Sequence, residues 1–62
     1  NNDKIFFFED DIDNLQAAKK VYNWITILIH PDKIRKPKHI DYLFTTIEEA
    51  VMFFITQQTL NT

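Results

Sequence analysis

One short stretch combines residue types that apolar packing does not call for: Ile29-His30-Pro31-Asp32-Lys33. It brings an imidazole, which can donate or accept, within two positions of a carboxylate. Both groups are costly to bury unpaired. Pro31 lacks an amide hydrogen and pushes His30 out of helical geometry. The trio therefore reads as the tip of a turn. A metal site would draw on His30 and His39 with Asp32 and Asp41. Pro31 and Pro37 break the helical framework that would align those four. His30 as a general base would need a nucleophile and a pocket, and the pattern offers neither. There is no Gly-rich phosphate loop, because the chain has no glycine. What remains is recognition, a hydrogen-bonding tip shown to a partner. A plain turn competes with it, since Pro and Asp are ordinary turn residues.

The charge around the tip supports recognition. Six of the seven basic residues fall between positions 19 and 38: Lys19, Lys20, Lys33, Arg35, Lys36 and Lys38. Asp32 is the only acid in that window, whereas Asp3, Glu9, Asp10, Asp11 and Asp13 crowd the start of the chain. A net charge of −2 thus conceals a cationic middle that suits an acidic partner surface. A solvated loop is the bland alternative.

Elements must position that tip. At 62 residues the ceiling is one small domain with a modest core. No cysteine is present, so neither a disulfide nor a zinc–thiolate site is available. No apolar run approaches the roughly 18 residues of a membrane span. The chain shows no initiator Met and no signal-peptide pattern, and the expectation is a fragment of a longer intracellular chain. Residues 4–8, Lys-Ile-Phe-Phe-Phe, fit one helical turn or a short strand. Asp13 with Gln16 fits a helix N-cap and its partner, with Asp11 as the alternative cap. Ala18, Val21, Ile25, Leu28 and Ile29 follow the spacing of one buried helical stripe, with Lys19, Tyr22, Asn23, Thr26 and His30 on the opposite face. Pro37 suits the start of a second helix, whose stripe is Ile40, Phe44, Ile47, Val51 and Phe54. The expected fold is all-α: an antiparallel two-helix hairpin with a short N-terminal helix or turn packed against it. Its parts are an N-terminal element and acidic loop over 1–13, a helix over 14–30, a His-Pro-Asp loop over 30–37, a helix over 38–58 and a tail over 59–62.

These residues carry a family resemblance. The chain resembles a J domain, the DnaJ-like module that works with heat-shock-70-type chaperones. His30-Pro31-Asp32 corresponds to that family's hallmark between its second and third helices. Lys20-Val21-Tyr22-Asn23-Trp24-Ile25 matches its Lys-Ala-Tyr-x-x-Leu stretch in spacing. Phe44, Ile47, Ala50, Val51 and Phe54 fall in its third-helix register. The resemblance spans about residues 15–56.

The resemblance implies a non-enzymatic co-chaperone that stimulates its partner's ATP hydrolysis and needs no cofactor or metal of its own. It assigns chaperone binding to His30, Pro31, Asp32, Lys33, Lys19, Lys20, Tyr22 and Asn23. Asn23, Trp24 and Leu28 replace commonly basic positions and thin the basic face. An adaptor domain that stimulates nothing is therefore the alternative, favoured by Trp24, Met52 and Phe53. Nucleic-acid binding through the basic loop ranks third.

Overall fold

A computed structural model describes residues 4–60. Its five elements are β1 (Phe6–Glu9), α1 (Ile12–Tyr22), β2 (Ile25–Ile29), β3 (Tyr42–Phe44) and α2 (Ile47–Leu60). The strands form one sheet in the order β1-β2-β3, and both pairings are parallel. The fold is mixed α/β, which corrects the all-α hairpin. The expected helix over 14–30 is a helix that stops at Tyr22 followed by a strand. The expected helix over 38–58 is irregular chain, then a three-residue strand, then a helix that starts at Ile47. The first three residues of the N-terminal element, and residues 61 and 62 of the expected tail, lie outside the described residues. The helix runs on through the first two tail positions.

Local chemistry explains each boundary. Residues 4–8 held two readings, and the strand is the one formed, because β2 supplies a partner: Phe6 pairs with Ile25 and Glu9 with Leu28. Asp11, not Asp13, caps α1: its backbone is extended, and its carboxylate accepts the Asn14 amide at 3.2 Å. Asp13 lies in the first turn and Lys19 and Lys20 in the last, which complements the helix dipole. Asn23 ends the helix in the left-handed region at φ 56°, donating its amide to the Lys19 carbonyl at 3.0 Å. In a chain without glycine, asparagine is a fitting residue for that position. Beyond it lies Ile25-Thr26-Ile27-Leu28-Ile29, mostly β-branched and favoured in a strand buried on both faces. Four of its five residues are apolar, so it satisfies a helical stripe as well as a strand.

The second helix has its own start signal. Thr46-Ile47-Glu48-Glu49 is a capping box. The Glu49 amide donates to the Thr46 hydroxyl at 3.2 Å, and the Glu49 carboxylate accepts the Thr46 amide at 3.1 Å. The Thr45 amide and hydroxyl also donate to that carboxylate. These bonds hold the Glu49 carboxyl below its ordinary value, the Thr45 hydroxyl contributing most.

The sheet is covered on both sides. Leu28 faces α1, where Leu15, Leu28 and Ile40 form a sealed aliphatic cluster flanked by Phe7, Ile12, Ile34 and Leu43. Strand alternation puts Phe6, Phe8, Ile27, Tyr42 and Phe44 on the other face, against α2. There Phe54 is the hub: its ring meets Phe6 at 5.2 Å, Phe8 at 6.1 Å, Tyr42 at 5.1 Å and Phe44 at 6.1 Å. Of the residues expected in a helical core, Ala18, Leu28 and Ile40 are buried. Val21 is 68% exposed and Ile47 44%, whereas Ile25 and Phe44 are half-buried strand residues.

Candidate functional site

The residues assigned to one docking face are divided between opposite edges of the sheet. Helix α1 runs back across the sheet, so Lys19, Lys20, Tyr22 and Asn23 lie at the edge where β2 begins. His30, Pro31, Asp32 and Lys33 follow the far end of β2. Five strand residues at about 3.3 Å each separate the two groups by roughly 16 Å. The continuous line from Lys19 through Thr26 to His30 would need one helix. Instead Thr26 is fully buried in β2.

Lys19 is a structural residue in this arrangement. Its ammonium donates to the Asp41 carboxylate at 2.8 Å and to the Trp24 carbonyl at 3.2 Å. The same carboxylate oxygen accepts the Thr26 amide at 2.8 Å and the Thr26 hydroxyl at 3.2 Å. The Asp41 amide returns a bond to the Thr26 carbonyl at 3.1 Å. Burial pushes the Asp41 carboxyl up, but the bonds from Lys19 and Thr26 outweigh it and hold the carboxyl below its ordinary value. This network ties α1 and the 30–41 connection to the middle strand. His39, at φ 68°, makes the bend that returns the chain to it. Tyr22 stacks its ring on Trp24 at 4.5 Å while staying 62% exposed, and Trp24 meets Phe7 edge-on at 5.7 Å. Asn23 is spent on ending the helix. Lys20 remains exposed.

The opposite edge holds the less committed chemistry. The His30 amide donates to the Phe44 carbonyl at 2.9 Å, which extends the β2–β3 pairing by one residue. Its ring accepts the Asp32 amide through Nδ1 at 3.2 Å. That bond suits a neutral ring carrying its proton on Nε2. Pro31, Asp32 and Lys33 are exposed. Across from them stands the acidic start of α1, and Asp10, Asp11, Ile12, Asp13 and His30 line one open recess. Asp11 is occupied by the Asn14 amide, and Glu9 by the Asn14 side chain at 3.2 Å and the Asp10 amide at 3.3 Å. Asp10 and Asp13 make no side-chain hydrogen bond among the described residues. No three carboxylate or imidazole groups there are placed to enclose a metal ion. Nor is any described helix long and apolar enough to cross a membrane.

Sequence reasoning found His30 but missed Asp10 and Asp13 as its neighbours. The available signal was positional: an apolar run ending in Glu9-Asp10-Asp11, followed by a helix and then a β-branched run, is the pattern of a β-α-β unit. Compared with protein-family models, with curated proteins and with solved structures, the chain matches none. The fold defines it as a small parallel α/β layer whose strands all end on one edge.

Proposed function

We propose that the chain is a binding module whose working edge is the carboxyl edge of its parallel sheet, where it takes a hydrated divalent cation. One observation carries the reading: Asp10 and Asp13, whose side chains make no hydrogen bond among the described residues, line one open recess together with His30 at the carboxyl ends of β1 and β2. In open parallel sheets that edge is where ligands bind, because the loops there diverge and the helices begin there. A hard cation suits oxygen donors, and a magnesium-like ion keeps most of its waters while using one or two carboxylates. That matches two uncommitted aspartates. The test is a magnesium titration followed by amide chemical shifts, on the wild-type chain and on Asp10→Asn and Asp13→Asn. Saturable shifts confined to residues 9–14 and 30–32, lost in both variants, support the reading. Shifts spread evenly over all acidic residues would sink it.

A second reading rests on the half-buried His30, the exposed Pro31 and Asp32 after it, and the cations Lys33, Arg35, Lys36 and Lys38 that follow. In this reading the tip docks on a heat-shock-70-type chaperone and stimulates its ATP hydrolysis. The loop would act alone, since Lys19, Lys20, Tyr22 and Asn23 lie at the other end of β2, roughly 16 Å away. Single-turnover hydrolysis by a matched chaperone, with wild type, His30→Gln and Asp32→Asn, decides it. Stimulation lost in both variants supports docking. An inert wild type removes it and leaves the non-stimulating adaptor.

A further inference from the structure

Strand β2 lies between its neighbours, whereas β1 and β3 each pair on one side, and β1 is the longer of these two edge strands. The Ile25 amide donates to the Ile5 carbonyl at 2.9 Å. Parallel ladders alternate, so Ile5, Phe7 and Glu9 turn their backbone groups toward β2. Phe6 and Phe8 therefore direct their amides and carbonyls away from the sheet. An apolar edge strand with unpaired backbone groups is a template for another strand.

Side chains beside that edge are unfinished in the same direction. On α2, Phe53 leans toward β3, its ring 5.6 Å from Tyr42 and 5.4 Å from Phe44. The opposite flank of the helix, Ile47, Val51 and Ile55 at four-residue spacing, turns to the β1 side. These three, with Phe6 and Phe8, are 36–51% exposed. A helix apolar around most of its circumference is normally covered all round. The open backbone edge and the open apolar stripe thus border one notch.

Topology says which way an occupant runs. The crossovers from β1 to β2 and from β2 to β3 lie on the α1 face and step the same way across the sheet, as right-handed connections on one face must. Helix α2 lies on the other face. A right-handed crossover there steps backward, to the free side of β1, because the positions between are taken. Helix α2 also ends in the right place: Gln57 shares a recess with Lys4, Phe6 and Ile25, at the amino end of β1. A strand that starts there runs parallel to β1.

We infer that the free edge of β1 is a docking site for a fourth strand from outside these 62 residues. That strand is extended, parallel to β1, and apolar at alternate positions, where it fills the notch against Phe6, Phe8, Val51 and Ile55. The inference stands whether or not a cation binds near Asp10.

The experiment uses the chain's own parallel-pairing sequence as probe. The β2 segment Ile-Thr-Ile-Leu-Ile is appended after Thr62 through a flexible Gly/Ser linker, which raises its effective concentration. The chain has no cysteine, so one Cys placed at the start of the appended strand takes a single nitroxide. Slowing of Phe6 and Phe8 amide exchange by roughly tenfold or more relative to the linker alone, with broadening at the Ile5 end of β1, supports the inference. Broadening at the Glu9 end means antiparallel addition and overturns it. So does unchanged exchange at both amides. Sedimentation of the unextended chain as a dimer with Phe6 and Phe8 already protected would assign the edge to a second copy, and that also overturns it.

Discussion

The two faces of the sheet are built from the same three strands and closed in different ways. The α1 face is aliphatic and sealed, with Leu15, Leu28 and Ile40 at 0–1% exposure. Two pieces of chain cover it, the helix and the 30–41 connection, and the Lys19–Asp41–Thr26 network fixes the second piece in place. The α2 face is aromatic and open at one side. A single helix, about 10 Å across, lies on strands about 4.8 Å apart and covers the β2–β3 half. A sealed face stores stability, whereas an open face shows where more chain can dock.

Breaking the sealed face should have the largest effect. Leu28→Ala removes a side chain with no room to collapse and should cost about 3–5 kcal/mol, enough to unfold much of so small a domain. Phe54→Ala on the open face should cost less, about 2–3 kcal/mol, because its surroundings are partly solvated and can close in. Chemical denaturation of both variants measures the gap. Equal losses would erase the contrast between the faces.

A smaller effect is expected at the polar network. Lys19→Met should cost about 1 kcal/mol, since the pair is buried only in part. Asp41→Asn should also remove a pH dependence. The folded Asp41 carboxyl lies below its ordinary value of 3.8. Its contribution is therefore present above that value and lost as the pH falls through the lower folded one. Thermal melts from pH 7 to pH 2 should show wild type converging on the variant only in the most acidic samples. Convergence near neutrality would assign the dependence to another group.

The capping box offers a similar comparison between the helices. Thr46→Ala should cost about 1 kcal/mol and loosen the first turn of α2, leaving α1 and its Asp11 cap untouched. Amide exchange at Ala50, which donates to the Thr46 carbonyl at 3.3 Å, reports it. The smallest effects belong to the turn that follows β2, where His30 is half-buried and Asp32 exposed. His30→Gln and Asp32→Asn should each shift stability by no more than about 0.5 kcal/mol. A larger loss would mean that the Asp32 amide bond to His30 holds the turn together.

Much of the local structure was legible in the sequence. Residues near 13–22 read as helix, one of the two candidate caps was the right one, Pro31 marked the end of an element, and Leu28, Ala18 and Ile40 read as core. The capping box at Thr46 and Glu49 was also there to be read, and it starts the second helix at Ile47, nine residues later than the expected start at 38. What the sequence left open was the state of Ile25-Thr26-Ile27-Leu28-Ile29. A run buried on both faces carries no period, so it satisfies the helical stripe and the strand equally well. Only the neighbours decide between them. Phe6–Glu9 on one side and Tyr42–Phe44 on the other give β2 two partners, and Asn23 turns the chain out of the helix to reach them. The candidate site depended on the same decision. Asp10 and His30 are 20 positions apart in sequence and become neighbours because both follow strand ends on one edge. Lys19 and His30 share a face of a hypothetical helix and are parted because that helix ends at Tyr22. The residues set the caps, the turns and the apolar runs by themselves. Strand pairing, a property of segments distant in the chain, decided which residues stand together.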